Sequence, residues 1–276
     1  EYLGDLPFKN VYYTGIVRDK LGRKMSKSLG NSPDPIELIE KFGADGVRVG
    51  ILISSPAGND LPFDSSQCEQ GRNFTNKVWN AYRLVSSWEV REIEQPLSSK
   101  VAIEWFENRF QKVLTEINDQ FDKFRISDAL MAIYKLVWDD FCSWFLEIIK
   151  PAYQQPIDKL TFDKAIELLE ANLKLLHPFM PFLTEEIWQY IAERTNEQAL
   201  IISEWPTMQN TNADLIAEFD FVTEVIAGIR TIRKQKNIAN KDSIDLKIIN
   251  NEKNASTFDA VIIKLGNIDN LEYVTE

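Results

Sequence analysis

A single histidine, His177, occurs among 276 residues. Any chemistry that needs two imidazoles is therefore excluded from this chain. Cysteine is almost as scarce. Cys68 and Cys142 stand alone, with no Cys-x-x-Cys pair, so the pattern offers no zinc site. Two lone thiols of this kind read as reduced and structural. No apolar run approaches the length needed to span a membrane, and the start shows no signal-peptide pattern. Positive charge is also short, with 31 Lys and Arg against 42 Asp and Glu and a net charge of −11. That balance disfavours a polyanionic partner unless cations gather locally, because phosphate binding needs positive surface. The opening residues Glu1-Tyr2-Leu3-Gly4-Asp5 include no initiator Met and read as the middle of a fold, so a piece of a larger protein is expected.

The chain is long enough for two domains and a sizeable core. Residues 10–19 are rich in β-branched and aromatic side chains and predict a strand, interrupted by Gly15. Asp34, Pro35 and Glu37 form a helix-start pattern, and Gly43 ends that helix after Phe42. A second helix is expected over Asp45–Ser54, and Asp64 with Gln67 opens a long one reaching about Trp88. Residues 89–99 are polar, contain Pro96, and mark a domain boundary. Four helical segments are expected beyond it. In one, Ile126, Leu130, Ile133, Val137, Phe141, Trp144 and Ile148 recur three or four apart as far as Lys150. In another, Phe162, Ile166, Leu169, Leu173 and Leu176 keep the same rhythm. Each stripe must be buried against another, which predicts an antiparallel helix bundle. After Pro206 the polar stretch Thr207–Asn212 is a second boundary. A helix over Asp214–Lys236, a strand at Ile244–Ile248, a helix near 256–265 and a strand at Leu271–Val274 make a small α/β appendage.

The most informative residues are Lys24-Met25-Ser26-Lys27-Ser28, followed by Leu29-Gly30-Asn31. Two ammonium groups three residues apart, with small hydroxyls between and after, suit a loop that closes over a polyphosphate. A chance match to one chosen five-letter word in a chain of this length is on the order of one in ten thousand.

That word is the signature loop of class I aminoacyl-tRNA synthetases, and the chain resembles this family from about residue 1 to about residue 250. The runs Gly15–Arg23, Pro56–Asp64 and Gly71–Ala81 resemble its valine branch. His177-Pro178-Phe179-Met180-Pro181-Phe182-Leu183-Thr184-Glu185-Glu186-Ile187-Trp188 resembles a hallmark shared by the valine, isoleucine and leucine branches. The resemblance implies a mainly α chain: the end of a Rossmann-type catalytic domain (1–31), a connecting helical module (32–95), an anticodon-binding helix bundle (96–208) and an α/β junction (209–276). It implies a C-terminal piece of a cytoplasmic ligase that activates L-valine with ATP and Mg²⁺ and passes it to valine tRNA. Lys24 and Lys27 are then the catalytic candidates, with Lys27 the better placed for phosphate. The ATP-binding set is Lys24, Met25, Ser26, Lys27 and Ser28, with Met25 expected to pack. The family's His-Ile-Gly-His motif has no counterpart here, so this piece is expected to be inactive alone. The isoleucine branch, or a non-catalytic RNA-binding scaffold that kept a synthetase tail, are the alternatives.

Arg72, Asn76, Trp79 or Asn80, and Arg83 fall at helical spacing, flanked by Asn73 and Lys77. Such a face suits RNA backbone and 2′-hydroxyl contact. It is equally a helix half in the core through Phe74, Val78 and Leu84. Trp138, Phe141, Trp144 and Phe145 are read as core rather than base-stacking platforms. Asp139 and Asp140 lack any motif for acid–base work and are read as solvated or helix-polar. Arg230, Arg233, Lys234, Lys236 and Lys241 are the densest basic run. They would touch tRNA or complement a helix C-terminus. His177, before Pro178, is read as packed or helix-terminal rather than catalytic. No metal-binding residue is expected.

Overall fold

The computed structural model describes residues 4, 6, 8–55, 58–249 and 256–275. It is mostly helical and divides into two compact units, each assembled from segments distant in sequence. One comprises Glu1–Asn76, Thr115–Tyr134 and Leu175–Ser203; the other comprises Lys77–Leu114, Lys135–Lys174 and Glu204–Glu276.

In the first unit the strand expected over residues 10–19 shrinks to β1 (Val17–Arg18), paired in parallel with β2 (Leu61–Pro62). The correction has a simple cause. A strand needs a ladder partner, β2 is two residues long, and Pro62 has no N–H to donate. Val11 and Tyr13 therefore stay exposed despite their β propensity. Gly15 lets the two segments meet, because a Cβ there would overlap the Asn59 carbonyl.

Helix α1 (Pro35–Phe42) starts as expected: Asp34 accepts the Ile36 amide at 2.7 Å, and Gly43 ends it at φ 76°. Helix α2 (Ala44–Ile53) follows. Helix α3 (Ser65–Ser86) begins after Asp64, whose carboxylate accepts the Ser66 amide at 3.0 Å while Gln67 accepts the Asp64 amide at 3.4 Å. The first turns of α3 lie directly on α2. A Cβ on Gly71 would overlap the Gly46 carbonyl, and one on Gly50 would overlap that of Gln67, so the crossing needs glycine. Phe42, Phe63 and Cys68 form a small core, with Met25, Leu38, Val47 and Ile51 against it.

Helix α2 also receives α8 (Pro181–Ile191; α4 to α7 are described below). Asp45 accepts the amides of Phe182 and Leu183 at 3.4 and 2.7 Å. One turn on, the Arg48 guanidinium donates to the carbonyls of Phe179 and Pro178 at 3.2 and 3.1 Å. Met180, at the cap position of α8, supplies no side-chain acceptor. A carboxylate from another helix fills that role.

The second unit holds most of α4 (Leu97–Asp122), whose Trp105 and Phe106 anchor an aromatic core. Trp105 stacks on Phe219 at 3.8 Å between ring centroids, and Phe106 stacks on Phe145 at 5.0 Å. The helix expected over 126–150 is divided. It runs as α5 (Ile126–Lys135), then a π-helix (Leu136–Phe145), then α6 (Leu146–Ile149). The wider turn brings Leu136, Cys142 and Phe145 to the buried side beside Val137 and Phe141. Ser143 donates to the carbonyl of Trp138, five residues back, at 2.8 Å. A two-residue parallel pair joins β3 (Val90–Arg91) to β4 (Ile157–Asp158). Helices α7 (Lys159–Leu176) and α9 (Ala213–Lys236) fall where expected; on α7 Leu169, Leu173 and Leu176 are buried, while Phe162 and Ile166 are half-buried. The chain then forms β5 (Ile244–Ile249), α10 (Asp259–Gly266) and β6 (Ile268–Val274), with the two strands parallel.

Candidate functional site

Five cations lie between residues 18 and 27, and the first unit sorts them. Asp60 binds Arg18; Asp64 binds Lys20 at 3.0 Å; Asp19 binds Arg23 at 2.7 Å. Lys24 and Lys27 are exposed and have no ion-pair partner among the described residues. The loop is thus neutralised at its stem and left positive at its tip. Met25 packs against the Phe42, Phe63 and Cys68 core, as expected, which anchors the loop between its two lysines. Ser26 and Ser28 share a hydrogen bond of 2.6 Å between hydroxyls. Lys27–Leu29 make one 3₁₀ turn, closed by Gly30 at φ 63°.

The stem is built by Asp19, Asn31, Asp60 and Asp64, of which the sequence marks only Asp64, and that as a helix start. Asp19 is nearly buried and accepts the amides of Leu21 at 3.0 Å and Arg23 at 2.8 Å. It also accepts from the Asn31 side chain at 2.9 Å. That bond from Asn31, followed by those from Arg23 and Leu21, outweighs burial and holds the Asp19 carboxyl well below the usual carboxylate range. Asp60 accepts the Ile16 amide at 2.9 Å. This bond and Arg18 lower its pKa, as the Ser66 amide and Lys20 lower that of Asp64. Asp19, Asn31, Asp60 and Asp64 all lay inside the quoted motif runs. For Asp19 and Asn31 the signal was position beside the lysines, and for Asp60 and Asp64 membership of the Pro56–Asp64 run. Pro56 and Ala57 of the same runs lie outside the described residues.

The six proposed RNA contacts on α3 separate into two groups. Asn73, Asn76, Asn80 and Arg83 are exposed on the outward side. Arg72 is half-buried, 3.6 Å from Glu69 and with its guanidinium 5.7 Å from the Phe42 ring centre. Lys77 is half-buried over the Trp138 ring at 5.4 Å. Cation–π contact and screening make these two the less available cations.

Other candidates resolve into structure. Phe141 and Phe145 are buried core. Asp140 is a helix-polar residue in a half-buried ion pair with Arg109 at 3.0 Å, and burial raises its pKa. Arg233 departs from both readings of the basic run, whereas Arg230, Lys234, Lys236 and Lys241 are exposed. It is 4% exposed and donates to the carbonyls of Ala239, Asp242, Gly266 and Asn267. It pins the β5–α10–β6 segment to α9 rather than facing solvent. Arg230 lies 5.5 Å from the Trp144 ring centre. His177 is tied into a turn: its Nδ1 lies 2.7 Å from the Thr184 hydroxyl, which donates to the Met180 carbonyl at 2.7 Å. Thr184 spends its proton there, so His177 donates. Burial lowers the His177 pKa against the opposing pull of Glu185 and Asp45. Among the described residues no three His, Cys, Asp or Glu gather to hold a metal. No helix among them is long and apolar enough to cross a membrane.

Residues 104–248, more than half of the chain, match the anticodon-binding domain of tRNA ligase. The chain belongs to this family of tRNA ligases. Residues 1–64, which contain the lysine loop, match tRNA synthetases class I (I, L, M and V). The connecting part, with all of α3, lies between the two matches. Within the ligases, the valine–tRNA ligase of Christiangramia forsetii is 63% identical over all of this chain and 32% of the relative. That of Fusobacterium nucleatum is 35% identical over 99% of this chain and 33% of its own length. The chain thus spans about a third of the curated relatives it matches. Among solved structures, the agnB2 LeuRS of Agrobacterium radiobacter K84, in a ternary complex with tRNA and LeuAMS, aligns at TM-score 0.54 and 24% identity. That alignment covers 78% of this chain and 26% of the LeuRS, a likeness of fold alone.

Proposed function

We propose that this chain is the ATP-phosphate and tRNA-binding portion of an enzyme that joins L-valine to valine tRNA. The observation that carries the reading is the pair of unpaired lysines, Lys24 and Lys27, on a stem whose other three cations are neutralised. In amino-acid activation the valine carboxylate attacks the α-phosphorus of ATP and pyrophosphate leaves. Negative charge grows on the leaving oxygens, so ammonium groups held near them lower the barrier. Lys27 takes the direct contact and Lys24 shares it; Ser26 and Ser28 add donors once their mutual bond opens. The 2′-hydroxyl of the terminal ribose of tRNA then attacks the valyl carbonyl of the adenylate, AMP leaves, and the hydroxyl proton passes to the departing phosphate. Asn73, Asn76, Asn80 and Arg83 meet the tRNA backbone directly, with Arg72 and Lys77 at the margins of that face. The division at 31, 95 and 208 is the functional order we assign: loop, connecting module, anticodon bundle, junction. Preference for valine over isoleucine rests on the names of the relatives. The test is ATP–pyrophosphate exchange by the enzyme containing this chain, with valine and isoleucine in parallel. Exchange driven by valine supports the reading; exchange driven only by isoleucine, or by neither, overturns it.

A further inference from the structure

Two lysines on a loop are of use to a transition state only if their separation and direction are set beforehand. The stem shows what sets them. Asn31 makes three bonds with one amide: its oxygen accepts the Ser26 N–H at 2.9 Å, and its nitrogen donates to Asp19 at 2.9 Å and to the Lys24 carbonyl at 3.3 Å. The backbone is thus tied on both sides of Met25. Gly30, in the left-handed region at φ 63°, turns the chain so that the next residue faces back towards Ser26. Asp19 receives the other end. It is held by the Leu21 and Arg23 amides, and Arg23 closes on it with its side chain at 2.8 Å. Hydrogen bonds to an ionised acceptor are the stronger kind, and this acceptor stays ionised through the neutral range.

We infer that Asn31 and Asp19 form a latch that positions Lys24 and Lys27 for the phosphates of ATP. Neither is a catalytic residue; each acts through the backbone that carries the lysines. The inference rests on the reading of the loop as the ATP-phosphate site. It adds that the loop is pre-set by one amide–carboxylate pair rather than shaped by nucleotide alone. Asp60 and Asp64 serve the same end one step further back, by fixing Arg18 and Lys20 to the stem.

The experiment uses the enzyme containing this chain and measures valine-dependent ATP–pyrophosphate exchange, tRNA affinity and amide hydrogen exchange at Ser26. Asn31→Ala should lower kcat about 100-fold, the cost of misplacing a group by about 1 Å. KM for ATP should rise, KM for valine and tRNA affinity should stay unchanged, and the Ser26 amide should exchange faster. Asn31→Asp should be at least as damaging, because two carboxylates then face each other. Adding Asp19→Asn to Asn31→Asp restores an amide–carboxylate bond with its ends exchanged, and should recover about tenfold of the loss; a purely local fault would add instead. If Lys27→Ala lowers kcat while Asn31→Ala leaves kcat and KM for ATP as in the wild type, the latch is wrong and the ATP site stands. A double variant no better than Asn31→Asp also overturns the latch. If Lys27→Ala has no effect, the ATP-site reading fails and the latch falls with it.

Discussion

The Asp45 carboxylate, on α2, accepts the Leu183 amide at 2.7 Å and so caps a helix 138 residues further along the chain. Burial raises the Asp45 pKa against the pull of the Leu183 and Phe182 amides and of Arg48. The site therefore needs an acceptor more than it needs a charge. Asp45→Ala strands two amides at the start of α8 and should cost about 1–3 kcal/mol. Asp45→Asn keeps an acceptor oxygen and sheds the burial penalty on the charge, so it should lose less. Urea unfolding of the three proteins gives the ranking. Equal midpoints for wild type and Asp45→Ala would remove the capping role.

The turn that α2 grips holds the one histidine. Its folded pKa lies below the unfolded value of about 6.5, with burial as the main cause. Between those two values the unfolded chain binds more protons, so stability rises with pH there. The contribution is complete above about pH 6.5 and is lost as pH falls towards the folded pKa. His177→Asn retains a donor for Thr184 but does not titrate. The wild type should lose stability relative to His177→Asn as pH drops from about 7 to 5. Denaturation midpoints across that range test it, and a difference that does not change with pH counts against it.

Arg233 carries a third expectation. Its buried guanidinium serves four carbonyls, and Arg233→Met would strip that donor from Asp242 and Gly266, while Ala239 and Asn267 still accept the amides of Asp242 and Ile244. The loss should exceed about 3 kcal/mol, given the cost of burying unpaired polar groups. Amides of β5 and β6 should lose hydrogen-exchange protection before those of α4. Binding of tRNA should change only through this unfolding. A variant of normal stability with weakened tRNA binding would restore the surface role that the basic run suggested.

These residues show which parts of the structure were legible in sequence. The caps at Asp34 and Asp64 and the ends at Gly43 and Lys236 were, because each is a local bargain between a side chain and its own backbone. The strand over residues 10–19 was misread because local propensity cannot supply a ladder partner. Asp45 and Arg233 were opaque for a related reason. Their partners are backbone groups far along the chain, and a carbonyl or amide leaves no mark in a sequence. The π-turn at Leu136–Phe145 was hidden too, since the aromatic stripe keeps a 3.6-residue rhythm through it. At the lysine loop the chemistry was written in five letters, whereas its stem was not. Asp19 and Asn31 are ordinary polar residues until the fold brings them within 2.9 Å.

Lys27→Ala, in the enzyme containing this chain, should slow adenylate formation by about 10²–10³, comparable to the loss of one strong transition-state donor. KM for valine should change little, since Lys27 is assigned to the pyrophosphate end. Lys24→Ala should lose less. Pre-steady-state formation of valyl-adenylate gives both numbers. A normal rate for Lys27→Ala, or a loss confined to KM for valine, excludes the assigned role.

The last expectation concerns tRNA. An acidic chain, net charge −11, binds a polyanion only through local cations, so few phosphates should be engaged. The slope of log K against log salt should then be shallow, about −2 to −4. Arg83 is exposed on α3, whereas Lys77 lies over Trp138 and Arg72 near Phe42 and Glu69. Arg83→Ala should therefore flatten the slope by about one unit, and Lys77→Ala and Arg72→Ala by less. Asn76→Ala and Asn80→Ala should weaken binding without moving the slope, because an amide that bonds a 2′-hydroxyl or sugar displaces no counterion. Changing the anticodon should cost a separate increment, since base readout is assigned to the bundle and not to α3. Fluorescence-anisotropy titration of valine tRNA across salt, with wild-type and altered anticodons, measures each effect. If the asparagine variants change the slope and Arg83→Ala does not, the exposed face of α3 is not the contact. If binding ignores α3 and the anticodon alike, this chain has no tRNA role.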